Sequence, residues 1–250
     1  MSPEAVAVLD EGPRDGAVVV LLHGWPGSPF VWRRLIPMLA TRFRVLVPDL
    51  EGPDLRAQAG AVADLLRERG IERFAAVGHS HGGGVAQLLA LEGAGCEALV
   101  LIDSIAFDQA PPIDLDPRTF VERGTVEVAD LDEDTLASLA AATSPAPLPL
   151  DLRGAEPAIA AWELPVLLLW GEEDPYTPVA LAERLGEAIP AATLGVVPES
   201  GHFLLEDAFD SVADLIVEYL RGRYLGAPHG HAAPVLLQIE PWTQEVGPNA

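Results

Sequence analysis

Short apolar runs rich in Val, Ile and Leu alternate along the chain with longer segments whose apolar residues recur every three or four positions. Residues 17–22 are apolar without interruption, the pattern of a strand covered on both faces. Residues 31–42 place Trp32, Leu35, Ile36 and Leu39 on one stripe and predict a helix. A strand over 43–47 ends at Pro48-Asp49, and a helix over 55–69 carries Leu55, Ala59, Val62, Leu65 and Leu66 on one face until Gly70 stops it. The pattern continues with strand 74–77, helix 83–91 and strand 98–102. After a long interruption come strand 165–170, helix 179–189, strand 193–197 and helix 205–221. This order predicts an α/β protein with a mostly parallel central sheet flanked by helices.

The interruption divides the predicted core into residues 1–105 and 164–225. Residues 106–163 contain the acidic cluster Asp130, Asp132, Glu133 and Asp134, the stretch Pro145-Ala-Pro-Leu-Pro149, and one helical candidate over 132–142 with Asp132 as its N-cap. An insertion of this size outside the sheet reads as a small lid, with a solvated loop as the alternative. After Tyr224 the composition changes: residues 226–250 hold four Pro, three Gly and no basic side chain. Within that tail, 235–239 has the composition of a strand. It packs on its own domain or on a second subunit of a homodimer, or it is a disordered extension. His229 and His231 lie in the same tail, and two histidines there are too few to predict a metal site.

The bulk properties narrow the partners. At 250 residues, 49% hydrophobic and 21% charged, the chain has material for one sizeable core. Its net charge is −23, and all 15 basic residues are arginine. A field of that sign opposes nucleic acid and anionic membrane, which leaves a small molecule as the expected partner. The absence of lysine excludes a Walker A phosphate loop. No apolar run approaches the roughly 18 residues of a membrane span. Neither does residues 1–10 show the basic start of a signal peptide, so a cytoplasmic location is expected. Cys96, the single cysteine, fits a reducing compartment and reads as a small buried apolar residue.

Chemistry enters with Gly78-His79-Ser80-His81-Gly82, between the predicted strand 74–77 and helix 83–91. Random order would produce Gly-x-Ser-x-Gly in about one chain in fifteen of this composition, so context must carry it. A strand-to-helix turn this tight strains its central residue, requires small neighbours, and pushes the Ser80 hydroxyl out over the sheet end. It also aims the amide of His81, at a helix N-terminus, toward a developing oxyanion. Three further segments sit at strand ends: His23-Gly-Trp-Pro-Gly27, Gly171-Glu-Glu-Asp174-Pro-Tyr-Thr-Pro178 and Ser200-Gly-His202-Phe203.

Together these segments resemble the α/β-hydrolase superfamily over residues 15–222, in the order Ser80, Asp174, His202. The resemblance implies that Ser80 is the nucleophile, His202 its base and Asp174 the acid that orients His202. It places the second oxyanion donor at the backbone of Trp25, gives His23 a structural role, and implies a serine esterase-like enzyme with no cofactor or metal. Asp103, at the end of strand 98–102, stands where some members present their acid and is the alternative. Phe30, Ile105, Phe107 and Phe203, with Trp25, are the expected pocket residues and suggest a small, largely apolar ester or lactone. Haloalkane dehalogenases and epoxide hydrolases have similar HGWPG loops but use Asp where this chain has Ser80. The segment His79-Ser80-His81-Gly82-Gly83 also looks like the elbow of cofactor-free, ring-cleaving dioxygenases. In that reading, or in a lyase or cyclase, His202 and Asp103 form the working dyad. Two departures separate the chain from many relatives: a short loop after Asp49 and a modest lid.

Overall fold

The computed structural model describes residues 7–107, 116–126, 131–141, 153–225 and 235–238. Asp130, the stretch from Pro145 to Pro149, and both tail histidines lie outside these residues. Among the described residues the strands are β1 (Val8–Glu11), β2 (Val18–Leu22), β3 (Arg44–Pro48), β4 (Phe74–His79), β5 (Cys96–Ile102), β6 (Val166–Gly171), β7 (Ala192–Val197) and β8 (Val235–Gln238). They form one sheet in the order β1-β3-β2-β4-β5-β6-β7-β8, parallel except for β1, which runs antiparallel to β3. Sequence patterning missed β1. Its buried and exposed positions alternate over only four residues, too short a run to stand out. β8 pairs with β7, so this part of the tail continues the chain's own sheet.

The helices are α1 (Ile36–Leu39), α2 (Leu55–Glu68), α3 (His81–Leu91), α4 (Pro117–Gly124), α5 (Glu133–Leu139), α6 (Glu156–Ile159), α7 (Val179–Ala188), α8 (Leu204–Asp207) and α9 (Phe209–Tyr219). Strand side chains alternate between the two sheet faces. Val20, Leu22, Ala76, Leu99, Leu101 and Leu168 pack with α2, α3 and α7. Val19, Leu21, Val77, Val100, Ile102 and Leu169 face α9, together with Phe120 and Val121 of α4 and Leu136 and Leu139 of α5. This two-sided burial explains why the central strands read as unbroken apolar runs.

Two predicted helices are interrupted. Residues 31–42 form a 3₁₀ turn, Pro29–Trp32, capped by the Ser28 hydroxyl on the Phe30 amide, and then the short α1. The stripe survives, with Trp32, Leu35 and Leu39 fully buried. Residues 205–221 divide at Ala208, whose φ of −140° and ψ of 41° are not helical. The carboxylate of the preceding residue, Asp207, is engaged by the amides of Val126 and Gly201. In the insertion, the Asp132 carboxylate accepts from the Thr135 amide and starts α5, as its cap position predicts.

Parallel register aligns the carboxyl ends of the strands. Leu22 pairs with Gly78, His79 with Ile102, Ile102 with Leu169, and Gly171 with Val197. The loops carrying His23, Ser80, Asp103, Asp174 and His202 therefore leave one edge of the sheet, where α/β folds build their sites.

Candidate active site

Ser80 sits between β4 and α3 with φ +54° and ψ −120°, in the strained region that an L-residue occupies only when its surroundings hold it there. Those surroundings are backbone. The Ser80 amide donates to Ile102 O at 3.0 Å, and Ser80 O accepts from Ile105 N at 3.2 Å. The neighbouring glycines are required by space. A Cβ at Gly78 would stand 2.4 Å from Gly82 O, and one at Gly82 only 2.1 Å from Leu22 O. At Gly24 it would stand 2.7 Å from Ser80 Cβ, which seats the His23–Gly27 loop against the elbow.

Ser80 Oγ lies 2.9 Å from His202 Nε2, and His202 Nδ1 lies 2.7 Å from Asp174 Oδ2. A carboxylate only accepts, so Nδ1 carries the proton and Nε2 is left to accept from the serine hydroxyl. Asp174 is buried and held on both oxygens. Oδ1 accepts from the amides of Tyr176 at 2.7 Å and Thr177 at 3.0 Å, and Oδ2 accepts from the Thr177 hydroxyl. Burial raises the Asp174 pKa, but the His202 charge and these hydrogen bonds outweigh it, and the net shift is downward. Asp174 is therefore an anion throughout the neutral range.

Asp103 is the other carboxylate. It is fully buried at φ +43°, with Oδ1 accepting from Gly171 N at 2.8 Å and Oδ2 lacking a hydrogen-bond partner. Burial, then the Asp174 charge, pushes its pKa well above the carboxylate range. Of the two candidates, Asp174 is the one hydrogen-bonded to His202. Asp103 instead fastens the strand end from which the Asp174 loop departs. A carboxyl whose pKa is raised on folding stabilises fully below the unfolded value, about 3.9, and loses that contribution as pH rises through the folded value. Asp103→Asn is thus expected to gain stability relative to wild type between about pH 4 and 7 in urea titrations. A constant difference across that range would mean that Asp103 is ionised in the folded protein.

The flanking histidines take different positions. His79 Nε2–H donates to the carbonyl of His202 at 2.7 Å, and its ring lies 5.1 Å from the His202 ring. Burial, then the His202 charge, pushes the His79 pKa down to about 3, so it is a neutral donor. This contact anchors the His202 loop from the elbow itself. His79→Phe is expected to lower kcat about tenfold with little change in KM, and His79→Gln, which keeps a donor, to restore part of the loss. Equal losses in both variants would refute the anchoring role. His81 is buried at the start of α3, its pKa pushed down to about 3 by burial and then by the His202 charge.

His23 is bonded within its loop and to the segment after β3. Nδ1–H donates to Gly24 O at 2.9 Å, and Nε2 accepts from Leu50 N at 2.9 Å. Cys96 is half-buried against the core and not fully buried as expected, and its thiol is pushed up to about 12 by its apolar surroundings, away from thiolate reactivity. Among the expected pocket residues, Phe203 and Trp25 lie on the sheet face that carries α4, and Phe203 packs against His202 and His79. Ile105 and Phe107 are in the opposite core layer, Phe107 beneath the Arg184 guanidinium. Phe30 is half-buried under Arg33, beside α5. Sequence reasoning missed Phe120. It stacks on Tyr176 at 4.0 Å and meets Trp25, His202 and Phe203 edge-on. Its helix was announced by Asp116-Pro117, an N-cap followed by proline at the first helical position, and the Asp116 carboxylate accepts from the amides of Arg118 and Thr119.

Residues 19–215 match the model of the Alpha/beta hydrolase family. The chain belongs to that family. The magnesium-chelatase 30 kDa subunit of Rhodobacter capsulatus is 28% identical over 258 residues, covering 86% of this chain and 90% of that protein. Haloalkane dehalogenase 2 of Mycobacterium tuberculosis is also 28% identical, over 84% of this chain and 89% of its own length. Among solved structures, carboxylesterase CesB from Bacillus subtilis superimposes with a TM-score of 0.73 at 21% identity, covering 86% of this chain and 87% of that one. A thermophilic esterase from Thermogutta terrifontis does so with a TM-score of 0.72 at 24% identity, covering 86% and 93%. At these identities, the two superpositions describe a shared fold. Among the described residues, no helix is long and apolar enough to cross a membrane, and no cluster of potential metal ligands occurs.

Proposed function

We propose that this α/β hydrolase is a serine hydrolase that cleaves a small, largely apolar ester or lactone through an acyl-enzyme. The observation that carries the reading is the buried His202 ring, bonded at 2.9 Å to Ser80 Oγ on one side and at 2.7 Å to Asp174 on the other. In the proposed first half-reaction, Oγ attacks the acyl carbonyl while His202 Nε2 takes its proton, and the Asp174 anion stabilises the imidazolium. The amides of His81 and Trp25 are the proposed donors to the oxyanion. His202 then protonates the leaving alcohol, and water, activated by the same nitrogen, releases the acid. The aromatic group of Trp25, Phe120, Tyr176 and Phe203 argues for an apolar substrate next to the reacting bond.

The name of the dehalogenase relative raises carbon–halogen cleavage, and the residue at the elbow argues against it. Alkyl displacement needs a carboxylate nucleophile, whereas here the elbow carries a hydroxyl hydrogen-bonded to the His202 ring. The dioxygenase-like, lyase or cyclase alternative required His202 to work with Asp103, and the engagement of Asp103 with Gly171 N speaks against that pairing. Incubation with a fluorophosphonate followed by peptide mass spectrometry tests the proposal. A covalent adduct on Ser80 is expected, and a folded protein without that adduct would refute it.

A further inference from the structure

The side chain of His81 has no task in the chemistry above, although its backbone amide does. It is 3% exposed, and neither ring nitrogen has a hydrogen-bond partner. The residue adjoins Ser80, and its ring is close enough to His79 and His202 to interact electrostatically with both. Nearby, His79 is paired with a carbonyl and Gln87 Nε2 and the Ser104 hydroxyl with Ile105 O; Gln87 Oε1 and Asp103 Oδ2 are single unmatched atoms on side chains that are otherwise bonded, whereas the His81 ring is bonded at neither nitrogen. Buried nitrogens are normally matched, so two unmatched nitrogens beside a nucleophile point to a partner that arrives with the substrate.

Building on the serine-hydrolase reading, we infer that the His81 imidazole binds a neutral polar group, a hydroxyl or an amide, on the acyl part of the substrate. The acyl side follows from connectivity. The same residue's amide is the proposed donor to the acyl oxygen, so its ring reaches atoms a few bonds from that carbonyl. Neutrality follows from the ring's surroundings. An imidazole offers one donor and one acceptor, which match a hydroxyl in full. A substrate carboxylate only accepts, so it would leave the ring's acceptor nitrogen unmatched, and burial together with the His202 charge denies it a cationic partner. A chain of net charge −23 repels such a substrate as well. The substrate class is thus a hydroxylated or amide-bearing acyl ester or lactone, apolar elsewhere, and not a dicarboxylic monoester.

The test compares p-nitrophenyl 3-hydroxybutyrate, as each enantiomer, with p-nitrophenyl butyrate on the full chain and on His81→Phe and His81→Asn. Wild type is expected to favour one hydroxylated enantiomer about tenfold or more in kcat/KM. His81→Phe removes both ring nitrogens, so the ratio should fall to about one whatever the absolute rate becomes. His81→Asn retains a donor and an acceptor and should keep part of the preference, which a merely structural role would not produce. Fluorophosphonate labelling of Ser80 in each protein reports an intact site. Wild-type Ser80 that labels without any hydroxyl preference, or a preference that persists in His81→Phe, overturns this inference alone. Wild-type Ser80 that does not label overturns the serine-hydrolase reading and this inference with it.

Discussion

Ser80→Ala is expected to lower kcat/KM for p-nitrophenyl acetate by about 10⁴- to 10⁶-fold while leaving the fold in place. The serine hydroxyl is bonded to His202 Nε2 and does no structural work, because the elbow is held by backbone contacts to Ile102 and Ile105. Alanine tolerates the +54° φ about as well as serine, so the change removes the hydroxyl without relaxing the turn. Residual catalysis would come from the two proposed oxyanion amides and from substrate positioning. The measurement is steady-state hydrolysis, with circular dichroism to check folding. A loss smaller than about tenfold in a folded protein would show that Ser80 is not the nucleophile.

The second large effect separates the two carboxylates. Asp174→Asn should cost about 10⁴-fold in kcat, because an amide in place of Oδ2 can donate to His202 Nδ1 and force the wrong tautomer on the ring. The Tyr176 and Thr177 amides would still hold the side chain, so the loss would be chemical and not structural. Asp103→Asn should cost less than about tenfold, since an asparagine oxygen can accept from Gly171 N as Oδ1 does. The pair must be measured together, with KM determined for each. A larger loss at Asp103 than at Asp174 would reverse the assignment and revive the dyad chemistry set aside above.

Much of this architecture was legible in one dimension. The apolar runs that became β2, β4, β5 and β6 could be read because the central positions of strands buried on both faces are nearly all apolar. The order of Ser80, Asp174 and His202 was legible because each follows a strand, and parallel strands deliver their ends to one edge. Other features left weaker traces. The broken helix 31–42 kept its buried stripe, so the pattern concealed the interruption. Phe120 lies far in sequence from His202, and only the packing of α4 brings the two rings to 5.5 Å.

What the sequence by itself determined is the layered fold and the identity of the residues at the sheet edge, because periodicity and strand-end position are local properties. Which carboxylate faces His202 was decided only by the tertiary structure. Asp103 and Asp174 are 71 residues apart in the chain and both are buried at strand ends; the turn from Gly171 to Pro178 favoured Asp174 by resemblance, but strand-end position alone allowed either. The difference is one of hydrogen-bond partners. The amide of Gly171 occupies Asp103, while the turn from Asp174 to Thr177 points the other carboxylate at the histidine. The pairing of His79 with the His202 carbonyl and the unmatched ring of His81 were settled in the same way. Adjacent side chains at a strained elbow diverge, and only the packed structure shows what each one meets.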